Sequence, residues 1–168
     1  MPGDHLVDRP TFNATRAVTV ATRPEHIWRW QLQIGINRAG WYGYDWLDNL
    51  GRPSATEIIP ELQELEVGDL IPVSPNGRYG LTVWNFKPRE WMVWVDDQGR
   101  TSWLWLLDQV DEGTTRPITR VRMRYRWLHP DVVFDLLVEF GDLAMMRKSM
   151  LGIRNRAAAL ARHALQSP

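Results

Sequence analysis

The sequence predicts one α+β domain, in which a curved antiparallel sheet of seven strands wraps around a long C-terminal helix and two short helices follow the first strand. Three observations carry this. Arg120, Arg122, Arg124 and Arg126 alternate with Val121, Met123, Tyr125 and Trp127, the period-two pattern of a strand with one wet face and one buried face. Leu143, Met146, Met150, Ile153, Ala157, Leu160 and Ala164 recur at steps of three and four, one apolar stripe on a helix. In the middle of the chain, short β-rich runs are separated by tight-turn sequences, a spacing that makes antiparallel hairpins.

Taken in order, Met1 to Asn13 reads as a loose tail and residues 14–165 as the domain. Ala14 to Val20 is rich in β-branched residues and predicts the first strand. Thr22-Arg23-Pro24-Glu25 has the form of a capping box with Pro in the first turn. It predicts a helix to about Ile34, which Gly35 can end. Tyr44 to Leu50 predicts a second short helix, closed by Gly51.

Six strand candidates follow: Thr56–Ile59, Asp69–Val73, Tyr79–Phe86, Glu90–Val95, Thr101–Val110 and Pro117–Trp127. Pro75-Asn76-Gly77, Lys87-Pro88-Arg89, Asp97-Gln98-Gly99 and Asp111-Glu112-Gly113 punctuate them. Alternation turns Met123, Tyr125 and Trp127 inward and the arginines outward. Ser102 to Leu107 is apolar on both faces, and Trp103, Trp105 and Leu107 are assigned inward.

Pro130 permits a new start, and a helix is expected from about Asp131 to Leu165. Arg147 and Arg154 flank its apolar stripe, and Gly141 and Gly152 weaken it locally. The stripe has one large partner available, the inward sheet face. That arrangement is a helix grip, and a straight helix leaves part of a twisted sheet's concave side as a cavity.

Composition sets the outer limits. The chain has 168 residues, 44% hydrophobic and 24% charged, which fits a single globular domain. It has no cysteine, so thiol nucleophiles, disulfides and thiolate metal sites are excluded. Its first residues lack the apolar core of a signal peptide, and no run approaches a membrane span. A cytoplasmic location is the expectation. The formal net charge is zero, which argues against a nucleic-acid partner. Ten tryptophans suit a cavity wall, where ring faces line a space and indole N–H groups meet polar atoms.

Residues 33–50, Gln-Ile-Gly-Ile-Asn-Arg-Ala-Gly-Trp-Tyr-Gly-Tyr-Asp-Trp-Leu-Asp-Asn-Leu, carry a resemblance to a known superfamily. Glu66-Val67-Gly68-Asp69 and Met145 to Ile153 support it. With the order strand, two helices, strands and long helix, the chain resembles the START-like or SRPBCC superfamily, which includes pollen-allergen-like carriers and polyketide cyclase/dehydrase-like proteins. The resemblance implies the helix-grip fold and a hydrophobic cavity. It implies no reaction, because carriers, enzymes and regulators share that fold.

The expected ligand site combines Arg38, Trp41, Tyr44 and Trp46, as an aromatic gate with an anchoring cation, with a wall of Trp84, Trp103, Trp105, Met123, Tyr125, Trp127, Met146 and Met150. Aromatic rings and adaptable Met side chains suit an aromatic, polyketide- or lipid-like guest. Arg38 has an alternative role, pairing with Asp45 to stiffen its loop. His5, His26, His129 and His163 show no metal-ligand spacing, and no nucleophile or phosphate-loop motif occurs. Neither metal nor cofactor is therefore expected, and no catalytic residue is assigned. The leading expectation is binding of an apolar small molecule. The alternatives are a cyclase- or dehydratase-like enzyme acting on a polyketide-type substrate, and an interaction module that uses the arginine row of the outer sheet face.

Overall fold

The computed structural model describes residues 1–124 and the helix 132–166, with side chains from 145 to 163 of that helix. The hairpin-rich middle folds into β2 (Leu70–Pro72), β3 (Gly80–Lys87), β4 (Trp91–Val95), β5 (Thr101–Gln109) and β6 (Thr115–Met123). With β1 (Phe12–Ala17) they form one antiparallel sheet in the order β1-β6-β5-β4-β3-β2. Short turns make β2 to β6 a meander. β1 closes on β6 from the far end of the chain, with Phe12 opposite Met123 and Ala17 opposite Ile118. Helices α1 (Pro24–Leu32) and α2 (Asp45–Asp48) lie between β1 and β2, and α3 (Val132–Gln166) ends the domain. No helix among the described residues is long and apolar enough to cross a membrane.

Among the described residues the sheet has six strands, not seven. Thr56–Ile59, expected as a strand, has no ladder partner and runs into a 3-10 turn at Pro60–Leu62. The side chain of Gln33 explains this. Its amide donates to the Glu57 carbonyl at 3.2 Å, and its carbonyl accepts from the Ile59 amide at 2.9 Å. One buried glutamine thus satisfies backbone groups that a strand neighbour would otherwise have met. The expected capping box is also not formed. α1 starts at Pro24 with Arg23 at its cap and no side-chain cap bond. The Thr22 carbonyl instead accepts from the Thr115 hydroxyl at 2.7 Å.

The ladder defines two inner rows. One runs Arg16, Thr119, Trp105, Met92 and Phe86; the other runs Ala14, Val121, Trp103, Trp94 and Val83. Against them lies a single apolar cluster that joins Trp94, Trp105 and Met92 to Ile27 of α1 and to Met146 and Ile153 of α3.

The outer face is covered too. Asp4 pairs with Arg120 at 2.9 Å, and Arg122 donates to the Val7 carbonyl at 3.1 Å. His5 meets Trp84 edge-on, Gly3 abuts Val93, and Val7 is buried. The arginine row is therefore largely occupied: the side chains of Arg120 and Arg122 are 21% and 16% exposed. This cover also explains why β4 and β5 are apolar on both faces, since Val93 and Leu104 are buried beneath it.

Burial opposes ionisation of Asp4, but hydrogen bonds from the Met1 amine and Arg120 outweigh it and hold the carboxyl below its usual range. A carboxyl with a lowered folded pKa contributes stability above its unfolded value and loses it as pH falls through the folded one. Hydrogen exchange over residues 3–8, taken relative to the intrinsic amide rate at each pH, is expected to rise on acidification below about pH 4, before the sheet opens. Asp4→Asn should reproduce that rise at neutral pH; unchanged exchange in the variant would show that the carboxylate does not hold the segment.

Candidate ligand-binding site

Four tryptophans gather on the inner face. Trp94 of β4 and Trp103 of β5 are direct cross-strand neighbours, and Trp105 lies two residues along β5. Trp41, from the loop after α1, stacks on Trp103 with ring centroids 5.6 Å apart and planes 2° from parallel. Trp103 stacks on Trp105 at 5.4 Å, and Trp94 meets both at 5.5 and 5.8 Å. The Trp103 N–H donates to the Thr119 hydroxyl at 2.7 Å, and that hydroxyl donates to the Leu104 carbonyl. The N–H groups of Trp94 and Trp105 are buried with no acceptor among the described residues.

The loop that presents Trp41 is held by several devices. Tyr42 adopts a left-handed backbone, φ 58°, an uncommon conformation for a bulky residue. Its amide donates to Ser54 and its hydroxyl to the Trp30 carbonyl. Ser54 in turn donates to Asp45, and the Tyr44 amide donates to Asp48 at 2.9 Å. From α3, the Arg156 guanidinium lies 4.7 Å from the Tyr42 ring centre and donates to the Ala55 carbonyl at 2.8 Å. Burial pushes the Tyr42 hydroxyl well above its usual range and pushes Arg156 down. Gly152 allows α3 to come this close: a Cβ there would stand 2.1 Å from the Tyr42 carbonyl oxygen.

The expected site residues do not form one group. Trp41, Trp103 and Trp105 come together in the interior. Met146 joins the same cluster, Met150 is buried on α3, and Met123 sits at the edge of the inner face opposite Phe12 and Thr101. Tyr44 and Trp46 are exposed on or beside α2, Trp46 by 74%. Trp84 lies in a bulge between Val83 and Asn85 and meets His5 on the covered outer face, apart from the interior group. Arg38 does not reach Asp45; it donates to the Leu32 carbonyl at 2.8 Å, and burial lowers its pKa. Tyr125 and Trp127 lie outside the described residues.

Sequence reasoning left Trp94 and Arg156 out of the site. Trp94 stands in a run, Trp91 to Val95, without alternation, so its face was not readable. Arg156 had one signal, Gly152 one helical turn before it, since a mid-helix glycine marks a close approach. Elsewhere, an open cleft of about 620 Å³ is lined by Arg23, Glu25, Arg89, Glu90 and Glu112 among others, a mixed-charge surface unsuited to an apolar guest.

No protein-family model matches this sequence, and no curated protein does. Solved structures do match. A polyketide-cyclase-like protein from Corynebacterium glutamicum aligns at 12% identity and TM-score 0.57, over 90% of this chain and 94% of that one. A START superfamily protein from Mycobacterium smegmatis aligns at 10% identity and TM-score 0.51, over 88% and 98%. A Rhodobacter sphaeroides protein aligns at 22% identity and TM-score 0.52, over 88% and 93%. At these identities the likeness concerns architecture, and it agrees with the single antiparallel sheet and long C-terminal helix already described: the chain has the START-like, SRPBCC fold.

Proposed function

We propose that the protein binds an apolar small molecule, aromatic, polyketide-like or lipid-like, between the inner sheet face and α3. The observation that carries this reading is the group formed by Trp41, Trp94, Trp103 and Trp105. A core that only needs filling is met by aliphatic side chains. Four indoles grouped on the inner sheet face supply broad, flat, polarisable surface that suits a flat or extended guest. Burying about 200 Å² of guest surface at ~25 cal/mol per Å² supplies about 5 kcal/mol before the entropic cost of binding. Tyr44 and Trp46 stand at the surface end of the segment that carries Trp41, where we place the entrance. No chemical step is assigned.

Native mass spectrometry of the purified protein, with organic extraction of whatever accompanies it, tests the reading. The expected result is a co-purifying apolar molecule. A clean apo mass, together with no change in tryptophan fluorescence across a panel of aromatic and lipid compounds, would sink it.

A further inference from the structure

We propose that the exposed turn carrying Tyr44, Trp46, Leu47 and Leu50 docks this protein on the surface of an anionic lipid bilayer. The turn lies on the outside of the domain, so docking there is independent of what the interior binds.

A surface helix normally turns its polar side to water and its apolar side to the core. The segment at α2 does the reverse. Asp48 is buried and accepts from the Tyr44 amide at 2.9 Å, and Asp45 accepts from the Ser54 hydroxyl. Glycine at position 43 leaves room for the Asp48 carboxylate, where any Cβ would collide with it. The large apolar side chains face out instead: Trp46 is 74% exposed, Leu47 50% and Leu50 52%. Leu50 also holds a left-handed backbone, φ 56°, a costly conformation for a bulky residue. Burial in the core does not offset that cost, because half of the residue is in solvent.

Size and charge decide the occupant. Together the four side chains expose on the order of 400 Å² of apolar surface, the scale at which a patch marks an interaction site. A stable protein partner buries about 800 Å² on each side, roughly twice as much. A bilayer needs no matched surface of that size, since apolar side chains simply enter the headgroup boundary. Trp and Tyr favour that boundary, and Leu adds apolar depth. The flank of the patch is cationic. Lys148 of α3 places its ammonium 5.8 Å from the Tyr44 ring centre, and Arg147 and Arg52 are exposed. Residues 38–56 contain only two carboxylates, Asp45 and Asp48, and both are engaged within the loop. Cations at the rim, with the carboxylates withdrawn, complement anionic headgroups through an attraction that salt screens.

Flotation of the full chain with vesicles tests this, using phosphatidylcholine alone and phosphatidylcholine mixed with phosphatidylglycerol. The protein is expected to float with the mixed vesicles, to bind phosphatidylcholine about tenfold more weakly or less, and to lose binding as salt rises. Trp46→Ala combined with Leu47→Ala should lower partition to the mixed vesicles by about tenfold. Lys148→Gln should lower it by about fivefold and leave partition to phosphatidylcholine unchanged. No flotation of the wild type with mixed vesicles would overturn the proposal. So would variants that float like the wild type, or equal binding to both vesicles at every salt concentration. A dimer seen by sedimentation and lost in the double variant, with no vesicle binding, would assign the patch to a second copy instead. Native mass spectrometry reads the interior separately, so failure of docking leaves the ligand-binding reading intact, and a clean apo mass leaves docking intact.

Discussion

Gly152→Ala is expected to destabilise the protein by about 2 kcal/mol or more, although helix propensity alone predicts the opposite. Alanine is favoured over glycine in a helix interior by up to about 1 kcal/mol. The added methyl group, however, would sit 2.1 Å from the Tyr42 carbonyl oxygen and 2.8 Å from its Cβ. Those atoms cannot move aside freely. Tyr42 is pinned through its amide, its hydroxyl and the Arg156 guanidinium, so α3 must back away from the loop. Overpacking of this kind typically costs 1–3 kcal/mol, and withdrawal would also weaken the Arg156 bond to Ala55. Equilibrium urea unfolding reads the sign directly. A midpoint raised by the substitution would mean that α3 does not press on this loop.

Trp105→Ala should cost about 3–5 kcal/mol of stability, together with loss of apolar ligand binding. Trp105 is fully buried between Trp94 and Trp103 on the inner row. Trp46→Ala removes the same side chain from α2, where it is 74% exposed, and should stay within about 0.5 kcal/mol of wild type. Denaturant midpoints of the two variants, measured side by side, separate a wall residue from a surface one. Similar midpoints would contradict the placement of the tryptophan cluster.

Much of the architecture was legible because it is written in periodicity. The alternation before Met123 placed β6 with its apolar residues inward, and the spacing from Met146 to Ala157 placed the buried side of α3. What escaped was whatever long-range contacts decide. Thr56–Ile59 looks like a strand locally, but Gln33, more than twenty residues earlier, takes its backbone bonds. Trp84 falls outward next to the inward Val83, and the bulge there, which leaves no dependable trace in sequence, returns Phe86 to the inner face. The arginine row reads as solvated because nothing in its own strand shows that the first residues of the chain return to cover it. In the candidate site, Trp103 and Trp105 were recognisable as bulky inward residues, whereas Trp41 was read as part of a gate and instead stacks on Trp103. Arg156 was not recognisable, since its role depends on the ring and the carbonyl it meets across the domain.

The pairing of β1 with β6 sets the pace at which this protein can acquire its structure. The Thr11 hydroxyl and the Met123 carbonyl are hydrogen-bonded across 112 residues of sequence. The hairpins from β2 to β6 can form early from local contacts. The first strand has to wait, solvent-exposed, until its neighbour has been synthesised. Closing so long a loop brings its entropic cost before its reward. Refolding is therefore expected to end in a slow phase in which the N-terminal strand docks last, and a nascent chain leaving the ribosome carries its sheet incomplete until β6 emerges.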